Sequence, residues 1–194
     1  MKRILKSIII SIIRNIKNYL RTDPVEHYRA LGAKIGDNVF LGGVGDIKME
    51  EEYAKFVTIE DNVTIAKGTQ IIQHDSSMNN LFGLPIKFGK VIIRKNAYIG
   101  ANCTISCGVE IGEGALIGIG SLVITDIPSN RVAFGVPAKV KGTTFEFRDR
   151  FIEKMNDDKR NFYWNIVHWR ERKDWPKERI DKSVKDFMDN VDFN

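Results

Sequence analysis

Residues 93–123 read IRKNAYIGANCTISCGVEIGEGALIGIGSLV, and an aliphatic residue recurs in this stretch at every sixth position. The recurring residues are Ile93, Ile99, Ile105, Ile111, Ile117 and Val123. A small or β-branched residue stands four positions after most of them, and glycine often follows the aliphatic residue directly. Such an internal repeat determines the fold more strongly than any local element does.

A period of six residues fits neither the 3.6-residue period of an α-helix nor the two-residue alternation of a flat sheet. It fits very short strands that are joined by tight turns and wound into a parallel β-solenoid, with three strands to each triangular coil. Each aliphatic side chain then points into a narrow core and stacks on the residue 18 positions away. The predicted stacks are Ile93 on Ile111, Ile99 on Ile117 and Ile105 on Val123. Coils in such a fold lie about 4.8 Å apart, the ordinary spacing between strands.

The same rhythm extends toward the N-terminus, with one interruption. Aliphatic residues stand at Ile59, Ile65 and Ile71, and counting back by sixes from Ile59 gives Tyr53, Ile47, Leu41 and Ile35. The step from Ile71 to Ile93 is 22 residues, which is one coil of 18 plus four. We therefore expect a loop inserted at residues 74–91.

The composition is that of a folded globular protein of 194 residues, with 43% hydrophobic and 28% charged residues. The 30 basic residues exceed the 25 acidic ones by only five, which suits an anionic small ligand or a membrane surface and argues against nucleic-acid binding. Two cysteines and three histidines exclude a disulfide scaffold and a zinc ribbon. No apolar run reaches about 18 residues, so no membrane-spanning helix is expected.

Residues 1–32 and 143–194 flank the repeat and differ from it in composition. Residues 4–20 read ILKSIIISIIRNIKNYL, which predicts an amphipathic helix with one broad apolar face. That face either packs on the protein or a partner subunit, or lies on an anionic membrane surface through residues 1–20. A second short helix is expected at residues 25–31, and residues 143–194, which lack glycine and are rich in aromatics, predict two or three helices.

Residues 33–142 resemble the hexapeptide-repeat acyltransferases. The likeness is to the branch that contains galactoside, maltose and polysaccharide O-acetyltransferases and the xenobiotic acetyltransferases. Its most specific part is the closing signature, Asp126-Ile127-Pro128 followed by Gly135-Val136-Pro137-Ala138-Lys139. The resemblance implies an all-β solenoid, a left-handed parallel β-helix with N-terminal and C-terminal helices. It also implies a homotrimer with active sites between subunits, acetyl-CoA as the acyl donor, and no metal.

His74 is the one histidine within the repeat, and it stands at the start of the inserted loop. Loops on a rigid scaffold often carry chemistry, but a lone loop histidine is ordinarily only solvated. The resemblance makes His74 the catalytic residue, because similar enzymes place their histidine ahead of a loop that returns to an aromatic-Ile-Gly segment, here Tyr98-Ile99-Gly100. A neutral imidazole can accept the proton of an attacking hydroxyl. By similarity, the backbone N–H of Ala101 stabilises the oxyanion.

The resemblance also implies a set of residues that bind CoA and the acceptor. The CoA groove would run along Ala101, Ile119, Ile124, Thr125 and Lys139, with Lys139 near the phosphates. In the family Thr125 is commonly followed by lysine, and here Asp126 follows, so the charge contact expected at that place is absent. Asp46 and Tyr98 fall near positions that bind the acceptor, and Asp75 is a candidate to orient His74.

Several alternatives are weighed against this interpretation. Cys103 and Cys107 are potential nucleophiles, but Cys103 occupies a core-facing small position and Cys107 lies in a turn, which favours a packing role for both. A carbonic anhydrase of the same architecture needs three histidine ligands for zinc, and the repeat supplies one.

The expected function is therefore acetyl transfer from acetyl-CoA to a hydroxyl of a sugar or glycan precursor. The expected location is the cytoplasm, with association with the inner face of the cell membrane as a further expectation. An N-acetyltransferase acting on an amino sugar, a xenobiotic acetyltransferase and a non-catalytic scaffold remain open.

Overall fold

The computed structural model describes residues 23–42 and 46–157, and most of this part is a stack of very short strands. Three strands and three turns make one coil, and four such coils follow one another. The strands of the coils are β1 (Lys34–Ile35), β2 (Phe40–Leu41), β3 (Lys48–Met49), β4 (Val57–Ile59), β5 (Thr64–Ile65), β6 (Gln70–Ile71), β9 (Val91–Ile93), β10 (Tyr98–Ile99), β11 (Thr104–Ile105), β12 (Glu110–Ile111), β13 (Leu116–Ile117) and β14 (Leu122–Val123).

Equivalent strands of successive coils pair in parallel and form three sheets, one for each side of the triangle. Sheet A has the order β1-β4-β9-β12, and sheet C has the order β3-β6-β11-β14. Sheet B has the order β2-β5-β10-β13-β15 and ends in an antiparallel strand, β16, which closes the stack. The strands β15 (Arg131–Phe134) and β16 (Lys139–Thr143) follow the fourth coil. The predicted parallel β-solenoid is confirmed.

The core is a set of columns of aliphatic side chains that run along the solenoid axis. The strand registers place Ile93 on Ile111, Ile99 on Ile117 and Ile105 on Val123, so the three predicted stacks are confirmed. All six side chains are fully buried. Full burial of such a side chain contributes about 1.5–3 kcal/mol to folding, and the columns therefore hold the coils together.

The corner between sheets A and B depends on residues that adopt a left-handed backbone. Asn38, Asn62, Asn96 and Asn130 all have positive φ there, and Gly114 takes the equivalent place in the fourth coil. A Cβ on Gly114 would lie 2.6 Å from the side-chain oxygen of Asn130. Asparagine adopts the same left-handed φ in the other coils, so what favours glycine at position 114 is the side chain of Asn130 stacked on it.

The first coil departs from the register expected from the sequence. The 18-residue step does not hold here, because Ile35 pairs with Ile59 and Leu41 with Ile65, which are steps of 24 residues. Met49 pairs with Ile71, a step of 22 residues, where the count by sixes has Ile47 and Tyr53. Ile47 is buried in the core, as a repeat residue would be, but neither it nor Tyr53 belongs to a strand that pairs with the next coil, so the six-residue count fails there. The reason is a 3₁₀ helix, Glu51–Phe56, that widens the turn between β3 and β4 and breaks the six-residue count.

Two of the described helices flank the stack of coils in the sequence. α1 (Pro24–Ala30) begins after Asp23, whose carboxylate accepts a hydrogen bond from the backbone N of Val25 at 2.9 Å, in agreement with the predicted second short helix. The buried Tyr28 donates its hydroxyl to the carbonyl of Ile47, which fixes α1 on the first coil. Helix α3 (Thr144–Asp157) follows β16. The predicted helix at residues 4–20 and most of the predicted aromatic C-terminal helices lie outside the described residues.

The contacts divide the chain into two units, residues 1–147 and 148–194. Within residues 23–42 and 46–157, no helix has the length and apolar character needed to cross a membrane.

The predicted inserted loop is a small hairpin that leaves and re-enters the solenoid at one corner. It consists of β7 (His74–Asp75), helix α2 (Ser77–Phe82) and β8 (Lys87–Phe88). It leaves after Gln73 and returns at Gly89, whose backbone N donates to the carbonyl of Gln73 at 3.0 Å. A Cβ on Gly89 would clash with the backbone of Gly108 in the next turn, so glycine is needed for this close return. The hairpin base, and with it His74, is therefore fixed to the rigid coils.

Candidate active site

His74 is the first residue of the inserted hairpin and lies at the corner between sheets C and A. It follows the sheet C strand β6, and the chain re-enters sheet A at β9 after the hairpin. In the hairpin His74 pairs with Phe88 in antiparallel register. Its side chain is 26% exposed, so the ring is held by neighbours yet is open to a substrate.

The carboxylate of Glu50 holds the His74 ring. The Nδ1 atom of His74 lies 2.9 Å from Oε2 of Glu50. An ionised carboxylate can only accept hydrogen bonds, so Nδ1 carries a proton, and in the neutral ring Nε2 then presents its lone pair. This is the tautomer that a general base requires. Glu50 reaches His74 because β3, which ends just before Glu50, pairs directly with β6.

Aromatic rings surround the histidine on its other sides. The Tyr53 ring packs edge-on against His74 with a centroid distance of 5.2 Å, and the Phe88 ring lies 5.9 Å away. Phe56 stacks on Phe88 at 5.8 Å. We call Tyr53, Phe56 and Phe88 the aromatic wall. Phe88 is 43% exposed, so the wall presents an apolar surface to solvent beside the imidazole.

Asp75 does not orient His74, although the sequence made it a candidate. Its carboxylate accepts a hydrogen bond from the backbone N of Ser77 at 2.9 Å, at the start of α2. This backbone hydrogen bond lowers the pKa of Asp75. Asp75 therefore shapes the hairpin, and Glu50 takes the orienting position.

The predicted CoA residues do not share one corner of the solenoid: Ala101 lies on another corner than His74, whereas Ile124 and Thr125 stand on the His74 corner, two coils further along the axis. Ala101 and Ile119 occupy the corner between sheets B and C in successive coils, and the backbone N of Gly120 donates to the Ala101 carbonyl at 2.8 Å. Ile119 is 74% exposed. Ile124 and Thr125 are exposed in the turn after β14, and Lys139 is exposed on β16.

Asp126, which stands where the family commonly has lysine, has a structural contact. Its carboxylate accepts a hydrogen bond from the backbone N of Glu110 at 2.8 Å. The bond joins the fourth coil to the turn that follows it. The residue that breaks the sequence pattern therefore closes the end of sheet A.

The two predicted acceptor residues also lie away from His74. Asp46 forms an ion pair with Lys67 at 3.2 Å, and its carbonyl accepts from the backbone N of Gly68. Asp46 stands on the same corner as Ala101, because the backbone carbonyl of Lys67 accepts a hydrogen bond from the following coil at that corner. Tyr98 is exposed on sheet B. Within one chain, His74 and the predicted CoA turn at Ala101 thus occupy different corners of the triangle.

Both cysteines are buried, in keeping with the packing role expected of them. The Sγ of Cys103 lies 3.2 Å from the carbonyl oxygen of Gly118, and burial raises the pKa of its thiol. A thiol that resists ionisation is a poor nucleophile. Cys103 therefore does not supply the reactive group.

Glu50 and the aromatic wall are the site residues that the sequence analysis missed. The stretch from Glu50 to Phe56 gave no repeat pattern because it forms a turn and a 3₁₀ helix. The sequence nonetheless contained an indication of Glu50. Met49 is an apolar residue eight positions after Leu41, and a step of eight instead of six places it opposite Ile71. Glu50 then falls beside the segment that leads to His74.

Comparison with known proteins agrees with the repeat. Residues 90–125 match the family described as hexapeptide repeat of succinyl-transferase. The chain is 35% identical over 140 residues to a galactoside O-acetyltransferase from Escherichia coli, which covers 66% of this chain and 60% of that enzyme. It is 50% identical over 58 residues to a dTDP-3-amino-3,6-dideoxy-alpha-D-galactopyranose 3-N-acetyltransferase from Aneurinibacillus thermoaerophilus, covering 30% of each.

Among solved structures, the soybean serine acetyltransferase apoenzyme shares 26% identity and a TM-score of 0.46, covering 57% of this chain and 40% of that one. The chain spans less than two thirds of the length of each of these proteins. The six-residue repeat, the parallel solenoid built from it and the two curated acetyltransferases agree: residues 90–125 carry the hexapeptide repeat, and the chain is similar to acetyltransferases that contain it.

Proposed function

We propose that this protein is an acetyl-CoA-dependent O-acetyltransferase that acts on a hydroxyl of a sugar or glycan precursor. The observation that carries the proposal is the 2.9 Å contact between His74 Nδ1 and Glu50 Oε2. It places the proton of the neutral imidazole on Nδ1 and leaves Nε2 to accept the proton of an attacking alcohol. The galactoside O-acetyltransferase relative supports the choice of a sugar hydroxyl.

The transfer proceeds in one complex, without a covalent enzyme intermediate. Nε2 of His74 takes the hydroxyl proton while the hydroxyl oxygen attacks the acetyl carbonyl carbon. The resulting oxyanion accepts a hydrogen bond from the backbone N–H of Ala101. The C–S bond then breaks, and the departing thiolate recovers the proton from His74. Glu50 stabilises the imidazolium that exists between these steps.

The residues of the proposed CoA groove fit such a ligand. The exposed side chains of Ile119 and Ile124 offer apolar surface to the pantetheine chain. Lys139 and Lys141 lie exposed on β16, where Lys141 Nζ also lies 5.6 Å from the centroid of the Phe134 ring, and both offer a positive charge to phosphates. Thr125 lies between these two regions along the chain, in the turn after β14.

The proposed assembly is a homotrimer of left-handed β-helices. Its support is the separation of His74 from Ala101 onto two corners of one chain, since an active site that needs both is completed by a second copy. The exposed apolar side chains of the hairpin, including Leu81 and Phe82, are suited to a contact with another subunit.

The aromatic wall supports a sugar as the acceptor. An exposed phenyl ring packs well against the C–H face of a pyranose and leaves the hydroxyls at the ring edge free to reach the imidazole. Asp46 and Tyr98 remain proposed acceptor contacts, supplied at the corner of Ala101 and on sheet B.

Acetyl transfer to an amino sugar is the second candidate. It is favoured by the 50% identity over 58 residues to the dTDP-amino-sugar N-acetyltransferase. The same histidine would remove the proton from the attacking amine. We place either activity in the cytoplasm, with residues 1–20 as a proposed peripheral contact to the inner face of the cell membrane.

Two measurements test the proposed function. Isothermal titration with acetyl-CoA should give saturable heat, and a non-catalytic scaffold should give none. A thiol-release assay over sugars, nucleotide sugars, amino sugars, serine and xenobiotic alcohols should then show turnover with a sugar hydroxyl. Turnover only with amines would replace O-transfer by N-transfer, and binding without turnover on any acceptor would refute the acetyltransferase assignment.

A further inference from the structure

Gln73 is a polar side chain in a place where the fold calls for an apolar or small one. It precedes His74 and is fully buried at the corner between sheets C and A. In the next coil the equivalent place, two positions past the paired residues Ile71 and Ile105, is taken by Cys107. Within the described residues, the side-chain amide nitrogen of Gln73 is buried and has no hydrogen-bond partner. An unpaired buried donor lowers stability, so the fold alone gives no reason for an amide here.

The other polar atoms of Gln73 contact Glu50 and the hairpin. The side-chain Oε1 accepts a hydrogen bond from the backbone N of Glu50 at 3.3 Å. The backbone N of Gln73 lies 3.4 Å from Glu50 Oε2, which is the same oxygen that receives His74 Nδ1. The carbonyl of Gln73 accepts from the backbone N of Gly89, where the hairpin returns.

These contacts hold the two ends of Glu50 in different ways. The side chain of Gln73 fixes the Glu50 backbone, and the Gln73 backbone holds the Glu50 carboxylate. Glu50 needs such support because it lies at the junction of β3 and the irregular 3₁₀ helix, where no regular strand bonding continues. A carboxylate that moves away from Nδ1 by an ångström no longer sets the tautomer of the ring.

We propose that Gln73 is a positioning residue for catalysis, which acts by holding Glu50 against His74. This inference rests on the proposed function for its kinetic consequence. It also has a consequence that is independent of activity, because the hydrogen bond between His74 and Glu50 can be observed directly. A polar side chain that is kept in a buried apolar position for the sake of an active site should lower the stability of the protein and raise its activity.

The test is Gln73→Met in the full chain, with Gln70→Met as the matched control, because Gln70 lies on β6 and has no contact with Glu50 among the described residues. We expect kcat to fall about 10–100-fold in Gln73→Met, as for a small misplacement of a catalytic group, with the KM for acetyl-CoA unchanged. The unfolding free energy should be equal to or higher than that of wild type. Gln70→Met should leave kcat unchanged.

A double-mutant comparison shows whether Gln73 acts through Glu50. In a Glu50→Ala background, Gln73→Met should cause no further loss of kcat, because the group it positions is already gone. Gln73→Asn serves as a second variant, since it keeps an amide but is too short to reach the Glu50 backbone, and it should lose activity as Gln73→Met does. Full additivity of the two losses would overturn the proposal.

The activity-independent readout is the proton NMR signal of the His74 Nδ1–H, assigned by its loss in His74→Ala. It should be downfield and sharp in wild type and Gln70→Met, and weakened or lost in Gln73→Met and Gln73→Asn. An unchanged signal in both Gln73 variants would refute the positioning role. If wild type turned over no acceptor but the signal still responded to Gln73, the proposed function would fail and the positioning role would stand.

Discussion

Replacement of Glu50 tests the pair at the centre of the site. Glu50 contacts His74 through one charge-assisted hydrogen bond of 2.9 Å, with side chains 35% and 26% exposed. A hydrogen bond to a charged group contributes about 1.5–3 kcal/mol, and partial exposure places this pair toward the lower end of that range. A loss of about 1.4 kcal/mol from the transition state slows the reaction about tenfold.

We therefore expect Glu50→Gln, which keeps an oxygen acceptor but loses the charge, to lower kcat about tenfold. Glu50→Ala removes both charge and acceptor, and the loss should approach 100-fold. The KM for acetyl-CoA should not change, because Glu50 lies on the His74 corner and not on the corner of Ala101.

The assay is release of CoA thiol with the best acceptor of the panel, at saturating acetyl-CoA. Glu52→Gln is the matched control, because Glu52 is exposed in the same 3₁₀ helix, and its kcat should equal that of wild type. If Glu50→Ala retained kcat within a factor of two of wild type, Glu50 would have no orienting role and the reasoning would be refuted.

Three further predictions concern the fold and the acceptor. Gly114→Ala should lower the unfolding free energy by about 1–3 kcal/mol in chemical denaturation, and by more than Gly120→Ala, whose added Cβ meets no atom within 4 Å. Arg94 lowers the pKa of Glu60, mainly through a side-chain hydrogen bond, so this pair stabilises the folded protein when Glu60 is ionised. Arg94→Met should therefore be less stable than wild type at neutral pH, and the difference should disappear as the pH falls below the ordinary carboxyl range. Phe88→Ala should raise the KM for a sugar acceptor about tenfold and leave binding of acetyl-CoA unchanged.

Each of these three predictions has a contradicting result. If Gly114→Ala and Gly120→Ala lowered the unfolding free energy equally, the Asn130 side chain would not be the reason for glycine at position 114. A stability difference between Arg94→Met and wild type that persisted unchanged to pH 2 would mean that the pair with Glu60 contributes nothing. An unchanged KM for the acceptor in Phe88→Ala would show that the aromatic wall does not contact the acceptor.

The sequence predicts the regular part of the fold well because one physical rule governs it. Each core column needs an aliphatic side chain at the same phase of every coil, so Ile93, Ile99 and Ile105 specify their partners by spacing alone. His74 could be placed for a related reason. The hairpin interrupts the six-residue repeat, and the position of the interruption shows where the chain leaves the coils.

The orienting partner of His74 could not be predicted, because its position depends on an irregular segment. Glu50 precedes a 3₁₀ helix that lengthens the first coil, and a count by sixes assigns the paired strand positions there to Ile47 and Tyr53 instead of Met49. Because side chains alternate between the two faces of a strand, an error of two positions in the register leaves a residue on the same face but gives it the wrong partner on the neighbouring strand. Contacts between irregular turns of different coils require the three-dimensional structure.

The central claim is that His74 is the base that activates the acceptor, and His74→Ala measured in parallel for binding and turnover tests it most directly. We predict that acetyl-CoA binds to this variant with wild-type affinity while kcat falls by about 10²–10⁴-fold, the usual contribution of a general base. His27→Ala, which alters a histidine on α1 paired with Glu51, should keep full turnover. Turnover of His74→Ala at the wild-type rate would contradict the account.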